Sequence, residues 1–205
     1  MVEEVWAKPG GKILDMEEMI NDLTILHHGE TNVRSHFYIW VGICNLTKRL
    51  RERGYEEVIF CKQDFGEQSC VLYSQIESIA TSVFSNYGAP IFCPIIPMHL
   101  ETWNNHRLDM GKTTKLLQCE NYAQMQEGLE QEVVIFNNRL IQLNKENGFA
   151  TPMIYNDFAH SRGKGRVTLR YKDLVDGCHP NDALLQRFKK SLTASIRVNK
   201  DHHRS

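Results

Sequence analysis

The feature that most constrains this chain is an alternation of short, β-rich apolar runs with stretches of helical spacing. Three runs read as buried parallel strands, because each is apolar throughout and meets a loop of special residues at its C-terminal end: His36–Gly42 (HFYIWVG), Ala89–Pro97 (APIFCPIIP) and Thr151–Asn156 (TPMIYN). Val2–Lys8 is a weaker fourth, closed by Pro9-Gly10-Gly11. Tyr55–Lys62 forms a further short strand whose place after Arg53-Gly54 suits a hairpin or an edge excursion equally. Between the runs, Tyr122, Met125, Leu129, Val133, Phe136, Leu140 and Leu143 recur at intervals of three and four, which predicts one helix over Asn121–Asn147. Shorter amphipathic stretches predict helices over Leu14–Leu26, Asn45–Arg53, Glu67–Asn86 and Asn181–Val198, the last capped by Asn181 or Asp182. Strands alternating with helices imply right-handed crossovers and a parallel sheet covered on both faces, so the expected fold class is α/β.

Composition narrows the function classes. With 205 residues and 41% hydrophobic content, one domain with a substantial core is expected. Lys plus Arg number 24 against 25 for Asp plus Glu, so the net charge of −1 gives no global field toward polyanions, and nucleic-acid contact requires a local patch. The six cysteines form no C-x-x-C pair and no zinc-type spacing, which predicts neither a metal site nor another cofactor. Cys61 and Cys93 lie in apolar runs and no signal peptide precedes them, so buried thiols in an intracellular, cytoplasmic setting are expected. No window approaches the length of a membrane span. The polar tail Lys200–Ser205 is expected to be disordered.

Chemistry concentrates in Val175-Asp176-Gly177-Cys178-His179-Pro180-Asn181, directly before the last predicted helix. An aspartate and a histidine three apart on a loop can fold back so that the carboxylate holds one imidazole nitrogen while the other faces a substrate, the arrangement of an oriented general base. Spacing alone equally allows His179 to be a helix cap and Asp176 an ordinary loop residue. Gly177 supplies backbone freedom and Pro180 suits a helix start.

The sequence D-G-x-H-P-N before the final helix resembles the last block of the SGNH (GDSL-like) hydrolases. That resemblance implies a flavodoxin-like three-layer sandwich with a parallel sheet, related to esterases and acyl hydrolases, acting on a small acyl or ester compound. It assigns Asp176 and His179 as the catalytic pair. Lys8-Pro9-Gly10-Gly11-Lys12-Ile13 looks like the second block, with Gly10 as an oxyanion donor. Trp40-Val41-Gly42-Ile43-Cys44-Asn45-Leu46 looks like the third, departing from G-x-N-D by placing Cys44 at the asparagine position, so that Gly42 or Asn45 would face the oxyanion. The first block, a strand followed by Gly-Asp-Ser, has no counterpart. A single SGNH-like domain over 1–199, truncated at its first strand and without its serine nucleophile, is therefore expected, most simply a pseudoenzyme or fragment. The segments Pro94–Leu100, Trp103–Leu108 and Met125–Leu143 look like SGNH-type domains associated with mobile elements of animals.

Two further groups stand out. His99, Trp103 and His106 follow a predicted strand end, where open α/β sheets place ligands, and form a candidate pocket. Arg162, Lys164 and Arg166 lie in a glycine-interrupted basic stretch that reads as a solvated loop or as a phosphate contact for RNA or DNA, and the alternative function is a non-catalytic nucleic-acid- or protein-binding module derived from a mobile element.

Overall fold

A computed structural model describes residues 15–16, 19, 35–40, 43–52, 55–60, 72–82, 88–116, 121–161 and 167–202. The chain is α/β. Strand β1 (Ser35–Ile39) pairs in parallel with β4 (Gly88–Phe92), in register from Ser35 opposite Gly88 to Ile39 opposite Phe92, and Cys93 N–H extends the ladder to the Ile39 carbonyl at 2.8 Å. Helix α1 (Ile43–Leu46) and an antiparallel hairpin of β2 (Lys48–Glu52) and β3 (Tyr55–Ile59) follow β1. Residues 72–82 form helix α2. After β4 come α3 (Leu100–Asp109), α4 (Tyr122–Glu146), a 3-10 turn (Ile154–Asp157), a small ribbon of β5 (Ala159–Ser161) and β6 (Val167–Leu169), and α5 (Asp182–His202).

The predicted face of α4 is buried: Leu129, Val133, Phe136 and Leu140 pack with Ile39, Phe60, Ile76 and Phe92 in the main core. A second cluster joins Ile154, Phe158, Leu169 and Leu174 to Leu184 and Phe188 of α5.

The α4 face also carries amides, and these explain where the β4 strand stops. The expected strand Ala89–Pro97 ends at Phe92 because Pro94 and Pro97 lack the N–H a ladder needs. Beyond it the backbone is zipped to α4 by side chains. Asn144 accepts from Phe92 N–H at 2.9 Å and donates to its carbonyl at 2.7 Å. Asn137 does the same to Ile95 at 2.6 and 3.1 Å. Gln126 accepts from Leu100 N–H at 2.9 Å and donates to the Met98 carbonyl at 3.0 Å. The register follows from pitch: three extended residues advance about 10 Å, and so do the seven helical residues between the two asparagines, about 10.5 Å. Asn199 of α5 and Asn104 of α3 repeat the device on Ala150 and Val58.

Three expectations are corrected. Thr151–Asn156 is not a strand: Pro152 interrupts it, and the 3-10 turn that begins at Ile154 buries Ile154 and Phe158 against α5. Asn45–Arg53 is not a helix, since α1 ends at Leu46 and Lys48–Glu52 pairs with β3, where Glu56 forms ion pairs with Arg49 and Arg51 of the neighbouring strand. The tail expected to be disordered is helical through His202, because Ser195 and Asn199 anchor the preceding turns to the Ala150 carbonyl. The predicted Leu14–Leu26 helix is helical at Asp15, Met16 and Met19, and its other residues lie outside the described set. Val2–Lys8 lies outside it entirely. Among the described residues no helix is long and apolar enough to cross a membrane.

Candidate functional site

The segment between β6 and α5 is closed by its own backbone. Leu174 N–H bonds the Tyr171 carbonyl at 2.9 Å, Val175 N–H the His179 carbonyl at 2.8 Å, and Asn181 N–H the Asp173 carbonyl at 2.8 Å. The Asn181 side chain caps α5 by accepting Leu184 N–H at 2.9 Å. Within this frame one oxygen of Asp176 accepts the backbone N–H groups of Cys178 and His179 at 2.9 and 2.7 Å, and its other oxygen lies 2.6 Å from His179 Nδ1. The Asp176 side chain is 10% exposed and that of His179 66% exposed, so the carboxylate sits inside and the ring faces out. Burial pushes the Asp176 carboxyl up, but the bonds from the His179 ring and from the two N–H groups outweigh it and hold the group below its ordinary value.

Gly177 locks this loop onto α3. Its φ of +87° is left-handed, and a Cβ placed there would stand 2.8 Å from both the His99 carbonyl and Trp103 N, and 2.9 Å from Thr102 Cβ. No side chain fits on either count. The Gly177 carbonyl accepts His99 N–H at 2.7 Å, tying the loop to the N-terminus of α3. His99 itself is the N-cap, its ring accepting Thr102 N–H at 3.3 Å while its face lies 4.9 Å from Tyr171. One turn on, the Trp103 ring centre stands 5.5 Å from that of His179, and Arg107 lies over the same indole at 5.9 Å.

The candidate residues therefore divide. Asp176, His179, His99 and Trp103 come together, although His99 is engaged as a cap; His106 lies on the next turn of α3, and the ring contact of His179 is to Trp103. Asn45 lies in α1 beside Cys44, and Cys178 packs against the main core that also takes in Ile43 and Leu46 of α1. Gly10, Gly42, Arg162, Lys164 and Arg166 lie outside the described residues. Burial, with Asp176 beside it, pushes the Cys178 thiol up to about 12, and burial alone does the same to Cys93, so neither is a thiolate nucleophile at neutral pH. Among the described residues no cluster of His, Cys, Asp or Glu can hold a metal.

Sequence reading missed the support beneath the loop. Tyr171 donates to Glu130 at 2.7 Å and accepts from Gln126 at 2.8 Å, and Gln126 also holds the start of α3, so one α4 side chain ties both walls of the site together. The signal was present in the sequence, since Gln126, Asn137 and Asn144 lie beside or on the apolar stripe where an amide needs a buried partner. Two surface depressions lie elsewhere, one between α2 and α4 near Tyr73 and Arg139, one along α5 near Lys190 and Arg197. Comparison with known protein families, curated proteins and solved structures finds no match to this chain.

Proposed function

We propose that this chain carries the Asp/His end of an SGNH-hydrolase-like acyl-transfer site, in a fold of flavodoxin-like three-layer type, and that it lacks the resident serine that would make it an efficient esterase. The observation that carries the reading is the orientation of the base: Asp176 grips His179 Nδ1 from inside the loop while the ring's other edge faces solvent. With Nδ1 donating, Nε2 carries the lone pair and can take a proton from a nucleophile above it. Among the described residues no serine bonds to that nitrogen; Ser195, for example, donates to the Ala150 carbonyl at 2.6 Å. Without a serine the pair can polarise a water toward a small acyl or ester compound, a weak form of the same chemistry. The kinship to mobile-element domains rests on the sequence resemblance. An intracellular location is supported by the Cys93 thiol, buried in the core as a small apolar side chain.

Hydrolysis of p-nitrophenyl acetate tests it. The expected rate is close to background and changes no more than about twofold in His179→Ala, because a base without an attached nucleophile contributes little. Robust turnover abolished by His179→Ala would show a complete active site and overturn the non-esterase part of the reading.

A further inference from the structure

The hairpin of β2 and β3 crowds cations around one of its carboxylates. Glu56 accepts from Arg107 at 2.9 Å and lies 3.0 Å from Arg49 Nε and 3.8 Å from Arg51 Nε, so three guanidinium groups share one carboxylate. Arg107 Nε is buried without a partner. The segment after α3 adds Lys112 and Lys115, both exposed, and is fastened to β3 by the bond from Glu56 N–H to Thr113 Oγ1 at 3.0 Å. Over β2, β3 and residues 107–115 six Lys and Arg stand against Glu52, Glu56, Glu57 and Asp109, a local excess of positive charge in a chain of net charge −1.

We infer that this surface binds the phosphodiester backbone of a single-stranded nucleic acid. Arg49 and Arg51 are two residues apart on one strand face, about 6.6–6.8 Å, a step comparable with that between successive phosphates of an extended strand. Their side chains are 45% and 67% exposed, so their free N–H groups are open to a second anion, and guanidinium forks match phosphate oxygens pairwise. One aromatic ring lies among the cations: Lys115 lies 5.7 Å over Tyr55. A phosphate that draws the exposed Lys115 outward frees the face of Tyr55 for a base to stack on, which is what separates a nucleic-acid strand from an acidic polypeptide as the occupant. The site is independent of the acyl-transfer reading, since it uses neither Asp176 nor His179.

Fluorescence anisotropy of a labelled oligouridylate titrated with the full chain at several potassium chloride concentrations tests it. Wild type should bind with a steep salt dependence. Arg49→Gln/Arg51→Gln should weaken binding at least tenfold at low salt and flatten the slope of log K against log salt by about 1.4, at about 0.7 per cation removed. Lys112→Gln/Lys115→Gln, outside the ion-pair network, should weaken it several-fold and guards against a hairpin that fails to form. Lys189→Gln/Lys190→Gln on α5 should leave affinity and slope unchanged. Wild-type affinity in both hairpin variants would overturn the inference and leave these cations as guards of an exposed strand edge. Equal binding of polyglutamate, loss of binding only in the α5 variant, or no binding at about 20 mM salt would overturn it as well.

Discussion

The loop carrying Asp176 and His179 and the hairpin carrying Arg49 and Arg51 are both short, polar and close to α3, yet they are held in different ways. The loop is fixed by neutral and charge-assisted hydrogen bonds made almost entirely within 171–181, plus one backbone contact too close for any side chain but hydrogen. The hairpin is held to the body by the bidentate grip of Asn104 on Val58, by Thr113, and by the largely buried ion pair of Arg107 with Glu56, while Arg49 and Arg51 stay open to water. The loop is built to keep one geometry, as an oriented base requires, and the hairpin to present charge.

The largest effect that distinguishes them should come from Gly177→Ala. A left-handed residue with a Cβ costs about 1–2 kcal/mol and the overlap with α3 about 1–3 kcal/mol more, so roughly 2–5 kcal/mol of stability should be lost in urea unfolding. Gly111, at φ +65° and with nothing within 4 Å of where a Cβ would stand, should lose only about 1 kcal/mol in the same substitution. Equal losses would mean that the loop is not wedged on α3.

Next in size is Asn144→Ala, which strands the N–H and carbonyl of Phe92 in the core and should cost about 2–4 kcal/mol, with Asn137→Ala close behind. A loss below about 1 kcal/mol would show that water or another group replaces the amide.

These amides also mark how far the sequence was legible. The α4 periodicity and the Asn181 cap of α5 are local patterns, and both elements formed where the spacing places them. The parallel sense of the sheet followed from the alternation of apolar runs, whereas the choice of β4 as the partner of β1 did not. What escaped was decided by partners distant in sequence or in another element: the β2 segment, whose strand depends on β3 and Glu56, and the Ile154 turn, which is shaped by α5. In the site, spacing placed Asp176 beside His179, but the contacts of Gly177 with His99 and Trp103 join residues more than seventy positions apart and leave no local trace.

A smaller, pH-dependent difference should separate Asp176 from an ordinary surface acid. Its carboxyl is held low in the folded state, so the stabilisation is fully present above the unfolded value and is lost as pH falls through the carboxylate range, below about 4. Stability measured downward from neutral pH should fall more steeply in wild type than in Asp176→Asn. Parallel curves would contradict the hydrogen-bonded carboxylate. Smallest of all, Glu77→Gln removes an exposed pair with Arg139 and should change stability by no more than about 0.5 kcal/mol.

The most direct test of the central claim is the tautomer of His179, read from the two ring nitrogen shifts of nitrogen-15-labelled protein at about pH 8, where an ordinary imidazole is neutral. The Asp176 contact at Nδ1 predicts a ring protonated at Nδ1 with Nε2 as the free acceptor, and a shift toward the other tautomer in Asp176→Asn. A wild-type ring protonated mainly at Nε2, unchanged by that substitution, would contradict the account, because such a histidine presents no lone pair to a nucleophile and is not an oriented base.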